Sequence, residues 1–151
     1  MQIDKNFIEA IGGLIGLLAF VKGIFEFVQL NTIRRYEKFH EMSKRFDENE
    51  SIQKVCELLQ DSSSSISVTK QEKEVFICFL EEIYFMIMSG VMKKEIALYT
   101  FGYYAREAMH NQRFWHDLDS GEEYYTVFHK FCRMVSIFEP SKLGVKETLK
   151  Y

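Results

Sequence analysis

The chain has 151 residues, of which 47% are hydrophobic and 15% aromatic, and its formal net charge is −3. This length supports one domain, or one small domain with an anchor, and the apolar content excludes a wholly disordered chain. The acidic balance argues against general nucleic-acid binding. The three widely spaced cysteines predict buried thiols in a reducing compartment, not a disulfide framework or a zinc site; they are Cys56, Cys78 and Cys132.

The first predicted element is an apolar helix over residues 8–30, IEAIGGLIGLLAFVKGIFEFVQL. At about 1.5 Å per residue, such a helix is long enough to cross a bilayer core of about 30 Å. Glu9, Lys22 and Glu26 interrupt it. The segment is therefore either a membrane-spanning helix with polar positions or a buried helix of a soluble bundle. A weak positive region before it, and no small-residue cleavage pattern after it, favour a retained anchor over a signal peptide.

Asp4 or Asn6 can cap this first helix, and no helix breaker follows until about residues 47–49. The segment 31–48 is thus a charged helical continuation. Its basic residues, against Lys5 alone before the apolar run, are Arg34, Arg35, Lys38, Lys44 and Arg45. By the positive-inside rule we expect the N-terminus to lie outside and the C-terminal domain to lie in the cytoplasm.

The remaining sequence has helical periodicity and no strand-like alternation. The predicted elements are a helix over 50–60, a loop over 61–68, a helix from the capping box Thr69–Glu72 to Met88, a helix over 92–111, a turn or short helix over 113–119, and a last helix from the capping box Ser120–Glu123 to about 138. The fold class is therefore all-α: a long N-terminal transmembrane helix continuing into a small cytoplasmic helical bundle. We divide the chain into 1–30 (membrane span), 31–48 (continuation), 49–139 (helical domain) and 140–151 (tail).

Small residues line one side of the apolar helix. At about 100° per residue, Glu9, Gly12, Gly16 and Gly23 lie within about 40° of one line. Gly12 and Gly16 form a GxxxG pair, which lets two helix backbones approach closely in lipid. This face is predicted to mediate helix–helix contact in a homo-oligomer; the alternative is close packing inside one subunit.

Lys22 and Glu26 are four residues apart and can pair on the helix surface. They are either interfacial residues of a single-span anchor or charges that face a water-filled pore between copies.

Two other groups of polar residues are candidate sites. Glu81 and Glu82 lie within an apolar stretch and require a nearby cation, for which Arg106 and Arg113 are candidates. His110 and His116 match no standard metal-ligand spacing. Neither a nucleophile motif nor a P-loop is present. We therefore expect no enzymatic activity, no metal and no cofactor.

An aromatic and basic cluster follows in the fourth predicted helix. Tyr103, Arg106 and His110 share one helix face, and Arg113 lies just beyond. Aromatic rings beside arginine can stack a base and hold a phosphate. The four residues are a hypothetical ligand-binding pocket, and ordinary core packing is the alternative. Five positions of this helix are predicted to face inward or to lie at an interface: Ile96, Tyr99, Thr100, Tyr103 and Tyr104.

The stretch from Phe79 to Trp115 resembles a widespread group of small uncharacterised bacterial proteins, with an N-terminal apolar helix and a helical domain containing FFEE-like and FGYY-like segments. The matching residues are Phe79, Glu81, Glu82, Ser89, Gly90, Phe101, Gly102, Tyr103, Tyr104 and Trp115. The overall arrangement is also similar, by architecture only, to membrane effectors of bacterial antiphage systems.

These observations lead to one functional hypothesis and two alternatives. The hypothesis is a membrane-anchored oligomeric effector that senses a nucleotide signal or a protein partner through its cytoplasmic domain and perturbs membrane permeability in antiphage defence. The first alternative is a membrane-tethered interaction module without pore activity. The second is a soluble helical bundle.

Overall fold

A computed structural model of the protein describes residues 5–61, 66–119, 121 and 123–138, with side chains described from residue 16 onward. Its helices are α1 (Lys5–Glu48), α2 (Glu50–Gln60), α3 (Lys70–Met88), α4 (Lys94–His110), α5 (Gln112–Trp115) and α6 (Thr126–Ile137). The described residues contain no strand. The prediction of an all-α protein with a long apolar N-terminal helix is confirmed. The predicted tail, 140–151, lies outside the described residues.

The chain divides into two compact units, Met1–Arg34 and Arg35–Tyr151. In the first unit, every described side chain from Gly16 to Leu30 is exposed. This part of α1 is therefore not packed inside the chain. The stretch of α1 from Gly16 to Glu48 is long and apolar enough to cross a membrane.

The core of the second unit is built around three aromatic rings. Phe46, near the end of α1, lies 5.5 Å from Phe79 of α3 and 5.4 Å from Phe101 of α4, between ring centroids. Phe79 and Phe101 are 5.4 Å apart in an edge-to-face arrangement. Such pairs each contribute about 0.5–1.5 kcal/mol beyond the area they bury. The end of α1 thus belongs to the core of the second unit.

The ends of α1, α2 and α3 are fixed by local side chains. The Gln53 amide donates to the Phe46 carbonyl at 2.7 Å, and the Asn49 side chain accepts the Ile52 N–H at 3.1 Å. At the start of α3, the Thr69 hydroxyl accepts the Glu72 N–H and the Glu72 carboxylate accepts the Thr69 N–H. The predicted capping box at Thr69–Glu72 is therefore confirmed.

Helices α4 and α6 approach closely at a glycine. A Cβ atom added to Gly102 would lie 3.2 Å from Cγ1 of Val135, which is tighter than an ordinary contact. The buried residues of α4 are Ala97, Leu98, Phe101, Gly102, Ala105 and Ala108. Tyr99 and Tyr103, predicted to face inward or to lie at an interface, are exposed and so do not face inward. Small residues, not the tyrosines, form the face that packs on α6.

The last helix begins later than predicted. Helix α6 starts at Thr126, and the expected start within Ser120–Glu123 is wrong for its described members. Asp119 accepts the Gly121 N–H at 3.0 Å, and Tyr124 donates its N–H to the Gly121 carbonyl at 3.1 Å. The described residues Glu123 and Tyr124 lie in a turn that precedes α6. Ser120 and Glu122 lie outside the described residues.

The cysteines differ in environment. Cys56 and Cys132 are buried, as predicted, whereas Cys78 is exposed on α3, so the prediction is wrong for Cys78. All three are free thiols. Burial raises the pKa of Cys56 and that of Cys132 to about 12.

Candidate functional site

One cavity of the second unit lies beside α5. It has a volume of about 470 Å³. We call it the Lys73 cavity, and its lining residues are Leu58, Ile66, Ser67, Val68, Lys73, Gln112, Arg113, His116 and Asp117. They come from α2, the segment 66–68, the start of α3, and α5 with the turn after it. The volume is in the range of small-molecule sites in proteins.

Lys73 is the charged group buried in this cavity. Its residue is 3% exposed, although it lies in the first turns of a helix whose other charged residues are more accessible. Its ammonium group forms an ion pair with the Asp117 carboxylate and donates to the Arg113 carbonyl at 3.0 Å. The hydrogen bond from Lys73 lowers the pKa of Asp117. The pair compensates a charge that would otherwise be costly to bury.

A smaller cavity lies on the other side of α5. It measures about 280 Å³, and we call it the Trp115 cavity; it is lined by Met109, His110, Asn111, Gln112, Trp115 and His129. The Trp115 indole N–H donates to the Ala108 carbonyl at 2.8 Å, which fixes the ring. His129 stacks on Trp115 with ring centroids 5.9 Å apart. Its Nε2 atom is buried and has no hydrogen-bond partner among the described residues.

The four residues of the predicted ligand pocket are distributed over different places. Tyr103 and Arg106 are exposed on α4. His110 lines the Trp115 cavity, whereas Arg113 lines the Lys73 cavity and donates to the Ile66 carbonyl at 3.5 Å. Gln112 lines both cavities, so the two lie next to each other. A ligand-binding role for the four residues remains a prediction.

The two glutamates of α3 are partnered differently from the prediction. Glu82 pairs with Arg45 of α1 at 2.5 Å, not with Arg106 or Arg113. The Glu81 carboxylate accepts the backbone N–H of Phe128 at 3.1 Å. Both carboxylates therefore join α3 to a neighbouring helix. The expectation of a structural ion pair is confirmed for Glu82 with a different cation.

In the first unit, the predicted oligomer face is open where it is described. A Cβ atom added to Gly16 or Gly23 would meet no atom within 4 Å. Glu9 and Gly12 are in α1, but their surroundings lie outside the described side chains. Lys22 and Glu26 form an ion pair of 3.7 Å, with side chains 77% and 59% exposed. Their role as pore or interface charges remains a prediction.

Lys73 was not recognised as a candidate from the sequence, although a signal was present. Phe76, Ile77, Leu80 and Ile83 form the buried stripe of α3, and Lys73 precedes Phe76 and Ile77 by three and four residues. A lysine on the apolar stripe of an amphipathic helix packs at least its aliphatic stem against the core, and an ammonium group that is buried as well needs a partner. Its partner, Asp117, is remote in sequence and carries no comparable signal.

No protein-family model, no curated protein and no solved structure matches this chain. The class that the structure itself defines is a small helical bundle preceded by one helix that is long and apolar enough to span a membrane.

Proposed function

We propose that this protein is a non-enzymatic effector anchored in the bacterial inner membrane, which assembles through α1 and changes membrane permeability. In this proposal the N-terminus lies outside, and the second unit lies in the cytoplasm and senses a signal or a partner. The observation that carries the proposal is the exposure of every described side chain from Gly16 to Leu30.

The magnitude of this exposure favours a membrane over water. The large apolar side chains between Gly16 and Asn31 are each at least 50% exposed: Leu17, Leu18, Phe20, Val21, Ile24, Phe25, Phe27, Val28 and Leu30. Removing them from water is favourable by on the order of 10 kcal/mol, at about 1.5–3 kcal/mol for a fully buried side chain. On the scale measured by membrane insertion, Lys22 and Glu26 oppose this by about 2.5–3.5 kcal/mol each at the centre of a span, and by less near its end. The apolar contribution is larger.

Assembly is supported by the arrangement of small and charged residues around α1. Gly16 and Gly23 leave open space on one side, where a second helix can approach closely. Lys22 and Glu26 lie on another side, about 90° around the helix axis at about 100° per residue. A ring of such helices can use the glycines for contact while the charged side faces a polar centre.

The sequence supports the proposed direction of membrane insertion and the proposed biological process, which is antiphage defence. Arg34, Arg35 and Lys38 follow the apolar run directly, which favours a cytoplasmic second unit. The architecture resembles membrane effectors of antiphage systems, so defence against phage is the setting we propose, with a nucleotide signal or a protein partner as trigger.

A second candidate is a membrane tether without pore activity. It is favoured by the Lys22–Glu26 ion pair, because the two charges lie 3.7 Å apart within one helix and compensate each other there. A tether with such a pair needs no water-filled centre.

The test is expression of the full chain in bacteria, with membrane fractionation, chemical cross-linking and a potential-sensitive dye. We expect extraction by detergent but not by salt, a cross-linked oligomer, and depolarisation that increases with expression. Gly16→Leu should abolish both assembly and depolarisation. Val21→Leu, which adds bulk about 140° around the helix at about 100° per residue, is the matched control and should preserve both.

The outcomes separate the candidates. An oligomer in the membrane that leaves the potential intact would overturn the effector and support the tether. A monomer in the soluble fraction would overturn both and restore the soluble bundle.

A further inference from the structure

The Lys73 cavity concentrates hydrogen-bond donors around one buried cation. The Lys73 ammonium has three N–H donors. Among the described residues, its acceptors are the Asp117 carboxylate and the Arg113 carbonyl. Two of the three donors therefore have acceptors among the described residues, which leaves one N–H for a further acceptor.

The other polar side chains of the cavity also favour an anion. Arg113, Gln112 and His116 supply N–H donors, and Ser67 supplies a hydroxyl. Among the described lining residues, Asp117 is the one carboxylate. Lys73 and Arg113 are the lysine and the arginine of this lining, although the whole protein is acidic.

The remaining wall is aliphatic. Leu58, Ile66 and Val68 face the cavity from α2 and from the segment before α3. Convergent polar groups beside an apolar wall are the usual composition of a site for a small organic molecule. Inorganic ions use only the polar part of such a site, whereas a ligand with a carbon framework uses both parts.

We propose that the Lys73 cavity binds a small organic anion, whose phosphate or carboxylate group is held by Lys73, Arg113 and His116 and whose carbon framework lies against Leu58, Ile66 and Val68. The four parts of the chain that line the cavity would then be tied together by one ligand. That this ligand is the signal for the membrane effector rests on the proposed function, whereas the binding itself does not.

Substitution of Asp117 provides a specific test of anion binding. Its carboxylate competes with an incoming anion for Lys73 and repels it. Asp117→Asn keeps an oxygen acceptor for Lys73 and removes the negative charge. A site for anions should therefore bind more tightly in this variant. A purely structural ion pair predicts only a loss of stability.

The experiment is calorimetric titration of the detergent-solubilised full chain with pyrophosphate, adenosine monophosphate and citrate. The fluorescence of Trp115, the single tryptophan, provides a second readout. We expect the organic anions to bind more tightly than pyrophosphate, and binding to weaken as salt is raised. The three probes also distinguish phosphate from carboxylate as the preferred charged group.

Variants decide whether the signal arises in this cavity. Lys73→Met and Arg113→Gln should each weaken binding at least tenfold, and Asp117→Asn should strengthen it several-fold. Lys130→Met removes an exposed positive charge from α6 and is the matched control, with unchanged binding expected. Since Arg113 is exposed, Arg113→Gln should fold even if Lys73→Met does not.

Several results would overturn the proposal. These are no binding of any probe at millimolar concentration, equal binding by the wild type and Arg113→Gln, or weaker binding by Asp117→Asn. Dye leakage from phosphatidylethanolamine–phosphatidylglycerol vesicles, measured separately, tests the membrane function. If the protein binds an anion but causes no leakage, the anion site stands and the proposed effector function is overturned. If the protein causes leakage but binds no anion, the effector function stands and the anion site is overturned.

Discussion

The Glu81 carboxylate accepts the Phe128 backbone N–H at 3.1 Å, so that α3 supplies the N-terminal cap of α6. Tyr125 is the N-cap residue of α6, and its side chain makes no capping hydrogen bond. Phe128 is the third residue of the helix, whose N–H a capping side chain ordinarily satisfies. A residue remote in sequence therefore performs the function of a local cap, and a negative charge at this end also complements the helix dipole.

Loss of this cap should destabilise the second unit. We expect Glu81→Ala to lower the free energy of unfolding by about 1 kcal/mol, the usual value of a cap. Glu81→Gln retains an oxygen acceptor and should lose less. Thermal unfolding followed by circular dichroism measures both, with the exposed Glu57→Ala as control. Equal midpoints for Glu81→Ala and the wild type would show that the hydrogen bond contributes nothing.

Gly102 is required for the approach of α4 to α6. A valine there would place methyl groups into Val135, whose Cγ1 is already 3.2 Å from the position of an added Cβ. We expect Gly102→Val to destabilise the protein by about 1–3 kcal/mol, as overpacked cores do. Val135→Ala in the same chain should restore part of that loss. Chemical denaturation of the two single variants and the double variant measures the coupling, and strictly additive effects would contradict a direct contact.

Glu72 should make stability depend on acid pH. Hydrogen bonds from Lys54 and then from the backbone and hydroxyl of Thr69 lower the pKa of Glu72 from 4.5 to about 2. Because the folded state binds this proton less readily than the unfolded state, the stabilisation is complete above about pH 4.5 and is lost as pH falls toward 2.

Glu72→Gln should therefore reduce the change of the thermal unfolding midpoint between pH 5 and pH 2. It should also lower that midpoint at pH 7. Thr69→Ala removes one donor and should produce an intermediate profile. Circular dichroism melts across this pH range provide the measurement. A profile for Glu72→Gln as steep as that of the wild type would mean that Glu72 does not control this transition. Asp117, whose pKa is also lowered, accounts for part of the slope that remains.

Thiol reactivity should distinguish Cys78 from the other cysteines. The thiolate is the reacting species, and burial raises the pKa of Cys56 and of Cys132 to about 12. Cys78 is exposed, although partial burial raises its pKa as well. In the native protein we expect iodoacetamide to alkylate one thiol slowly, and in the unfolded protein we expect it to alkylate all three. Mass spectrometry measures the number of alkylated thiols. Cys78→Ser should abolish native labelling, and rapid labelling of two or more thiols would contradict the structure.

Much of the fold was predictable because its signals are local. The capping box at Thr69 and the bounds of α2 follow from residues close together in sequence. The start of α6 was not predictable, because Glu81 lies 47 residues before the N–H it caps. The inward face of α4 was not predictable either, because it also depends on a helix that is remote in sequence. Gly102 and Ala105 are buried because α6 lies close to them. Nothing in the local sequence distinguishes the exposed tyrosines of α4 from aromatic residues of the core.

The candidate site was predictable only in part. Arg113 was selected from its aromatic and basic surroundings, but its neighbours in the cavity, Lys73 and Leu58, come from helices that precede it in the chain. A pattern along one helix finds residues on one face, whereas this cavity is formed where several elements meet. The helical stripe of α3 identifies Lys73 as buried but does not indicate that a cavity lies beside it.

The position of Phe46 within α1 also constrains how the protein is made. The ribosome synthesises the apolar stretch first, then Phe46, and only later Phe79 and Phe101, against which Phe46 packs. The core of the second unit therefore cannot close around Phe46 until Phe101, in the fourth helix, has been synthesised.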